Sequence, residues 1–239
     1  MTITVDHDHD RLACARGATP SYRLHAHVML APVSTPPPLL LASGSPRRAE
    51  LLRAALVDFE VGPVDCDETW RAGEAPLAYV QRLAREKAQL ALQRGYEGLV
   101  LAADTAVWTD EALAPLGKPS DRDEARRMLT DLFARRQHFV STAFALVDGR
   151  AAHAVDDASR ARELVVTTRV WMRALQGESL ARVLERYLNT DEWTDKAGGY
   201  GIQGHAAGLV ERIDGSYTAV VGLPLAEVLD ALADICQPR

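Results

Sequence analysis

The segment "LLLASGSPRRAELL", Leu39–Leu52, predicts how the fold begins. Its leucines and the alanine after them form a short apolar run, which is typical of a buried strand. Ser45 and Pro46 favour the N-cap and the first turn of a helix, and the spaced leucines that follow give that helix one apolar face. The segment therefore predicts a strand that leads directly into a helix, as in α/β proteins.

The two arginines of this segment are unusual for their position. Arg47 and Arg48 lie in the first helical turn, where backbone N–H groups are unpaired and the helix dipole is positive. Basic side chains oppose that dipole, but a bound phosphate would meet N–H groups, the Ser43 hydroxyl and guanidinium groups together. On these residues alone two interpretations stay open, an anion site or ordinary surface charges in an arginine-rich chain.

The rest of the chain alternates between strand and helix patterns. Apolar or alternating runs predict strands at 59–64, 98–104, 138–149, 163–175 and 207–214, and residues 105–108 are expected to continue extended after the second of them. Amphipathic patterns predict helices at 76–94, 120–133, 177–188 and 224–235, with Ser120 or Asp121 as the cap of the second. This order predicts an α/β or α+β fold with a mixed sheet, flanking helices and two lobes around a cleft.

The first 37 residues differ from the remainder. They combine polar residues with the proline run "STPPP" and show no hydrophobic periodicity. Such a composition favours disorder, because little apolar surface is available to bury. We predict a disordered extension at 1–37 and one folded domain at 38–236.

Composition excludes several classes of protein. The chain has 239 residues, of which 25% are charged, and a net charge of -6, which argues against nucleic-acid binding. No apolar run approaches the roughly 20 residues of a membrane span. The three cysteines lack the spacing of a metal cluster and are odd in number. We therefore expect a cytoplasmic protein with reduced thiols that binds neither membranes nor nucleic acid.

Two groups of carboxylates are candidates for chemistry. Asp104 follows the apolar run "LVLAA" and should lie at the carboxyl end of a strand, where α/β sheets bind ligands. The alternative is an aspartate that caps a turn with Thr105. The turn "DCDET", residues 65–69, gathers acids that suit a hard divalent cation, although a solvated acidic turn is the alternative.

Lysine is rare in this chain. Lys87, Lys118 and Lys196 are its only lysines, whereas all other basic residues are arginine. Because a compact ammonium differs from a planar guanidinium at a phosphate site, these positions hint at sites that need a point charge. The glycine-rich segment "AGGYGIQG", residues 197–204, is either a tight loop or a ligand-binding loop in which Gln203 contacts a polar edge.

Together these segments resemble the Maf family of nucleoside triphosphate pyrophosphatases. The resemblance extends from about Leu39 to Leu232 and rests on "LLLASGSPRRAELL", "DCDET", "REKA", "AADTAV", "LGKPSD", "DKAGGYGIQG", "VERIDGSY" and "VVGLPL". It implies a two-lobed α/β fold similar to inosine-triphosphate pyrophosphatases. It also implies hydrolysis of nucleoside triphosphates to monophosphate and pyrophosphate, a divalent cation (Mg or Mn) and a homodimer.

The resemblance also implies roles for individual residues. Asp104 matches the proton acceptor. We expect Glu68 and Asp104 to share the metal, and the sequence leaves open which of the two acids holds the metal and which takes the proton. The matching substrate-binding positions are Ser43, Arg47, Arg48, Glu68, Lys87, Thr105, Lys118 and Gln203. The segment "LFARRQH", residues 132–138, departs from the family's usual "LSGRxH".

Three of these residues separate subgroups of the family. Arg47, Thr105 and Gln203 match the subgroup that acts on dTTP and UTP. The alternatives are the 7-methyl-GTP subgroup, which typically has an aromatic residue, Gln and Glu at these places, and a non-catalytic regulator of septum formation.

Overall fold

A six-stranded mixed sheet carries the fold. The structure, a computed structural model, describes residues 38–109, 114–151 and 161–236, all within one compact unit, Pro36–Arg239. The strands are β1 (Leu39–Leu41), β2 (Glu60–Val61), β3 (Leu99–Trp108), β4 (Gln137–Asp148), β5 (Ala161–Met172) and β6 (Val210–Asp214), in the spatial order β2-β1-β3-β4-β5-β6. β1 pairs in parallel with β2 and β3, and the remaining pairs are antiparallel. The predicted mixed sheet is confirmed.

Helices flank this sheet. They are α1 (Pro46–Ala54), α2 (Pro76–Gln93), α3 (Arg122–Arg135), α4 (Gly177–Leu188), α5 (Tyr217–Val221) and α6 (Leu225–Ile235). Sequence patterns predicted all of them except α5, which is too short to show a period. None of the helices in the described residues is long and apolar enough to cross a membrane.

The opening segment folds largely as its pattern predicts. Leu39 and Leu41 are buried in β1, and Leu52 is buried under α1. Ser45 occupies the N-cap position and Pro46 the first turn, but the Ser45 side chain makes no capping hydrogen bond. The Ser45 side chain thus leaves the N–H groups of the first turn of α1 uncapped, although the Ser45 N–H itself donates to Ser43 Oγ at 3.2 Å.

The position expected for Asp104 is wrong. β3 does not end there, and Asp104 is the sixth residue of a ten-residue strand, because the antiparallel partner β4 supports β3 as far as Trp108. The parallel neighbour β1, however, pairs only with Leu99–Leu101. Asp104 therefore lies just beyond the end of the parallel part of the sheet.

Three groups of side chains form most of the core. α2 packs on one sheet face through Val80, Ala84 and Ala88, while α1 and α6 cover β1, β3 and β4 from the other. A further cluster joins α3 and α4 to the loop that carries Tyr200. A cleft opens between these groups, in agreement with the two predicted lobes. The predicted extension, residues 1–37, lies outside the described residues.

The unusual segment 132–138 has a local structural explanation. Two capping hydrogen bonds from the Arg136 N–H to Leu132 and Phe133 end α3, and Arg136 adopts φ 67°. This left-handed conformation favours glycine at helix ends. The chain therefore makes the usual helix termination with an arginine.

For the capping residue of α3, the structure decides between two candidates. Asp121, not Ser120, is the N-cap, and its side chain accepts a hydrogen bond from the Glu124 N–H at 2.7 Å. Ser120 instead bonds Glu124 through its own N–H and hydroxyl.

Candidate active site

A deep cavity of about 720 Å³ lies in the cleft. Every site residue proposed from the sequence lines it: Ser43, Arg47, Arg48, Glu68, Lys87, Asp104, Thr105, Lys118 and Gln203. They come from the β1–α1 turn, the first turn of α1, the loop after β2, helix α2, strand β3, the loop before α3 and the glycine-rich loop. The fold thus brings together side chains up to 160 positions apart in the chain.

Lys87 joins the two carboxylates at the centre of the cavity. Its Nζ lies 2.6 Å from Glu68 Oε1 and 2.7 Å from Asp104 Oδ1. Lys87 shares the inner face of α2 with Ala84 and Ala88, so the helix directs the ammonium onto the sheet. Two acids from different segments consequently contact one buried cation.

The environments of the two carboxyl groups displace their pKa values in opposite directions. Burial raises the pKa of Asp104, although Lys87 and Arg48 oppose that rise. Burial also acts on Glu68, but the hydrogen bond and charge of Lys87 outweigh it and lower the pKa. Burial likewise disfavours the charged form of Lys87, yet its two acidic partners raise the pKa. The surroundings therefore favour the ionised form of Glu68 and the neutral form of Asp104, each relative to an exposed carboxyl group of its type.

Arg48 is buried and held in one orientation. Its Nε donates to the Gly222 carbonyl at 2.7 Å, Nη1 to Ser43 Oγ at 2.9 Å and Nη2 to Thr105 Oγ1 at 3.2 Å. Burial lowers the pKa of Arg48, partly offset by Asp104. No carboxylate of the described residues forms an ion pair with it, and its guanidinium lines the cavity as a preorganised donor for an anion.

Positive charge is concentrated in the cavity. All three lysines of the chain line it together with Arg47 and Arg48, against the four acids Asp65, Glu68, Asp104 and Asp195. Burial lowers the pKa of Lys196, as does the nearby Arg47, so two cations lie close together. A chain of net charge -6 thus presents a cationic cleft, which suits a polyanion.

The loop that carries Glu68 is anchored by α2. The Tyr79 hydroxyl donates to the Glu68 carbonyl at 2.8 Å. Arg82 bonds both carboxylate oxygens of Glu74, at 2.7 Å and 2.9 Å, and the Thr69 carbonyl at 3.2 Å. These contacts hold an otherwise irregular segment against a regular helix.

The glycine-rich segment forms the opposite wall. Gly198, Gly199 and Gly204 adopt positive φ of 68°, 74° and 66°, which a residue with a Cβ rarely adopts. These turns bring Gln203 to the cavity wall. The side chain of Gln203 makes no hydrogen bond with the described residues and is available to a ligand.

The acids fit a divalent cation that arrives with a ligand. Glu68 and Asp104 each use one oxygen for Lys87, which leaves a second oxygen on each without a partner among the described residues. Magnesium is typically held by one or two carboxylates and substrate phosphates. Within the described ranges no cluster of three or more acids, histidines or cysteines could hold a metal alone. The donor set therefore fits an ion shared with a polyphosphate.

Sequence reasoning missed several residues of the site. Asp195 and Lys196 belong to the quoted segment "DKAGGYGIQG" but were assigned no role in a site, and Trp70 lines the cavity without a distinguishing motif. Gly222 contributes a backbone carbonyl, for which side-chain patterns give no signal. These residues become visible only when distant segments are brought together.

The fold and the site define a mixed α/β protein with a cationic, polyanion-binding cleft. This chain belongs to the Maf family, since the family profile, described as Maf-like protein, matches residues 38–235. The "dTTP/UTP pyrophosphatase" of Myxococcus xanthus (strain DK1622) is 47% identical over 195 residues, which cover 81% of this chain and 90% of that protein. The protein of the same name from Vibrio parahaemolyticus is 46% identical over 191 residues, covering 79% and 92%.

Solved structures that match this chain have a lower sequence identity to it. A HAM1 protein from Coxiella burnetii matches 82% of this chain and 98% of its own, with 17% identity and a TM-score of 0.43.

Proposed function

We propose that this chain hydrolyses dTTP and UTP to the monophosphate and pyrophosphate. The observation that carries the proposal is the constellation around Lys87, in which a buried aspartate of raised pKa and an ionised glutamate adjoin a locked arginine. The names of the 42–47% identical relatives support the same activity. A modified pyrimidine triphosphate would meet the same chemical groups.

Asp104 is the proton acceptor in this proposal. A water molecule attacks the α-phosphorus, its proton passes to the Asp104 carboxylate, and the bond to the pyrophosphate oxygen breaks. A base works best when its pKa lies near the working pH, and burial moves Asp104 in that direction. The charge on the phosphate oxygens is stabilised by Lys87, Lys118, Arg48 and Arg47.

Glu68 and Asp104 would hold a magnesium or manganese ion together with the phosphates. Such an ion supplies positive charge for the transferring phosphoryl group. Glu68 is the better permanent ligand of the two, because its lowered pKa keeps it ionised. This division leaves Asp104 for the proton.

Selectivity for pyrimidines is assigned to Gln203, Thr105 and Arg47. A glutamine amide both donates and accepts, so it can pair with O4 and N3–H of uracil or thymine. Gln203 lines the cavity and has no hydrogen-bond partner among the described residues. Arg47 adds positive charge in the same cavity.

One assay separates the candidate functions. Release of pyrophosphate is measured from dTTP, UTP, CTP, dATP, GTP and 7-methyl-GTP, with magnesium, with manganese and with a chelator. Metal-dependent release that is fastest from dTTP and UTP is the expected result. Preference for 7-methyl-GTP contradicts the assigned specificity, and no release from any nucleotide favours the non-catalytic regulator. The homodimer and the cytoplasmic location stay predictions.

A further inference from the structure

Thr142 lies behind the wall of the cavity and controls the hydrogen bonds of a residue in it. It is fully buried on β4. Its Oγ1 lies 2.7 Å from the carbonyl oxygen of Ala219 in α5 and 2.9 Å from Oγ1 of Thr105. A carbonyl oxygen only accepts, so the single hydroxyl proton of Thr142 is directed to Ala219.

This assignment determines the proton of Thr105 as well. With its own proton used, the Thr142 oxygen accepts in the contact between the two hydroxyls, and Thr105 is the donor. The Thr105 oxygen is then free to accept from Arg48 Nη2, which lies 3.2 Å away. Donation runs in one direction, from Arg48 to Thr105, then to Thr142 and finally to the Ala219 carbonyl.

The same series of hydrogen bonds also reaches the acceptor of Arg48 Nε. Ala219 belongs to α5, which ends at Gly222, and the Gly222 carbonyl accepts from Arg48 Nε at 2.7 Å. Thr142 thus contacts both the Thr105 acceptor and the helix that leads to the Gly222 acceptor. Removing its hydroxyl would free the Thr105 proton and remove the hydrogen bond between β4 and the Ala219 carbonyl of α5.

We propose that Thr142 is a positioning residue, which directs the Thr105 hydroxyl to accept from Arg48 and so aims the guanidinium at the substrate phosphates. The inference rests on the proposed function for its substrate. Because Thr142 does not line the cavity, it acts only through Thr105 and α5. The positioning role also implies that Thr105 only accepts hydrogen bonds from a ligand, because its hydroxyl proton is already donated to Thr142.

The test is a double-mutant cycle with Thr142→Val and Thr105→Val. Binding of inorganic tripolyphosphate is measured by calorimetry, and kcat and KM for dTTP are measured in parallel. We expect Thr142→Val to weaken tripolyphosphate binding and to lower kcat/KM, each by roughly 10-fold, as for a lost hydrogen bond to a charged group. In the Thr105→Val background the same change should add less than about twofold, because coupled residues are not additive.

Two further variants distinguish the positioning role of Thr142 from a loss of stability alone. Thr142→Ser keeps the hydroxyl and should restore binding and kcat/KM to within about twofold of wild type. Thr167 is the matched control, a threonine on β5 whose Oγ1 lies 2.8 Å from Ser141 Oγ on β4, in a pair of hydroxyls that does not line the cavity. Thr167→Val should lower the melting temperature without changing either measurement.

The outcomes are distinct. Additive losses in the two backgrounds, or Thr142→Ser as weak as Thr142→Val, overturn the positioning role. If wild type binds tripolyphosphate but releases no pyrophosphate from any nucleotide, the proposed function fails, and the binding cycle still decides the role of Thr142. If wild type releases pyrophosphate from dTTP but does not bind tripolyphosphate, the proposed function stands and the role of Thr142 in aiming Arg48 at the phosphates is overturned.

Discussion

Two opposing effects act on the pKa of the Asp104 side chain. Burial favours its neutral form, whereas Lys87 at 2.7 Å and the charge of Arg48 favour the ionised form. A carboxylate in this position accepts a proton more readily than an exposed aspartate does. The balance depends on contacts made from β3, α2 and α1 at once.

Replacing Asp104 with asparagine tests its role as the base. The change keeps the shape and removes the charge, so turnover of dTTP should fall by roughly 100-fold or more. Steady-state kcat is the measurement, with circular dichroism to confirm folding. Asp131→Asn, an exposed aspartate of α3 paired with Arg135, is the control and should leave kcat unchanged. Near wild-type turnover in a folded Asp104→Asn protein would rule out this assignment.

Replacing Gln203 with glutamate tests base recognition. A carboxylate cannot donate to O4 of the pyrimidine, so kcat/KM for dTTP should fall by roughly 10-fold to 100-fold, about 1–3 kcal/mol. The assay compares dTTP, UTP and 7-methyl-GTP. Gln93→Glu, at the exposed end of α2, introduces the same charge outside the cavity and serves as control. An unchanged ratio among the three nucleotides contradicts the role of Gln203.

His138 makes stability depend on pH. It is fully buried, its Nε2 lies 2.6 Å from the Tyr200 hydroxyl, and burial lowers its pKa to about 4. An unfolded histidine has a pKa near 6.5, so between these values the unfolded chain binds more protons. The stabilisation is complete above pH 6.5 and is lost as pH falls towards 4, by about 3 kcal/mol.

The measurement is the free energy of unfolding of wild type and His138→Gln from pH 7 to pH 4. Carboxylates titrate in the same range in both proteins, so the difference between the two curves isolates His138. We expect the curves to converge as pH falls, because the variant lacks the titrating group. Parallel curves would show that the imidazole is not held neutral in the folded protein.

At the scale of elements, helix α2 organises the centre of the site. One face supplies Lys87, and neighbouring positions supply Tyr79 and Arg82, which hold the loop of Glu68. The side chains of the Arg82–Glu74 ion pair are both largely shielded from solvent, with exposed fractions of 12% and 11%. A long regular helix therefore gives order to an irregular acidic segment of residues 65–75.

Arg82→Gln should release this loop and lower activity. Loss of its bonds to Glu74 and Thr69 lets Glu68 move, and we expect kcat/KM for dTTP to fall roughly 10-fold. Arg85→Gln, on the same helix, breaks an exposed pair with Glu163 and should stay within about twofold. In a Glu68→Gln background, Arg82→Gln should cause no further loss. Equal effects of the two arginine changes would contradict the loop-holding role.

At the scale of the whole molecule, the described unit contains every candidate site residue. All of them lie between Ser43 and Gln203, within the stretch that the family profile matches. The constellation that carries the proposed function is drawn from the described residues between Ser43 and Gln203. Folding and catalysis should therefore be independent of residues 1–37.

A truncated chain that begins at Met29 tests this independence. It should remain soluble, unfold with the same midpoint as the full chain and keep kcat and KM for dTTP within about twofold. Gel filtration, thermal unfolding and kinetics are compared for the two proteins. Lost solubility or activity would show that the N-terminal residues pack on the domain or on a partner.

Local patterns were sufficient for much of this fold and site. The leucines before Ser43 predicted β1, the periodic alanines and leucines of α2 predicted a buried helical face, and the run before Asp104 predicted β3. These features depend on burial of apolar side chains at fixed spacing, which the sequence displays directly. The same segments contain Arg48, Lys87 and Asp104, so the candidate residues could be named in advance.

Other features required the tertiary structure. Asp104 lies mid-strand because β4 extends β3, and strand pairing between distant segments leaves no local signal. Three other contacts likewise join residues far apart in the chain. They are the bond from Arg48 to the Gly222 carbonyl, the bond from Thr142 to the Ala219 carbonyl and the contact of Lys87 with two acids. Sequence alone determined which elements form and which side chains carry charge. Only the packing of those elements decided which atoms meet, because hydrogen bonds and pKa values depend on distances of a few ångströms that chain topology sets.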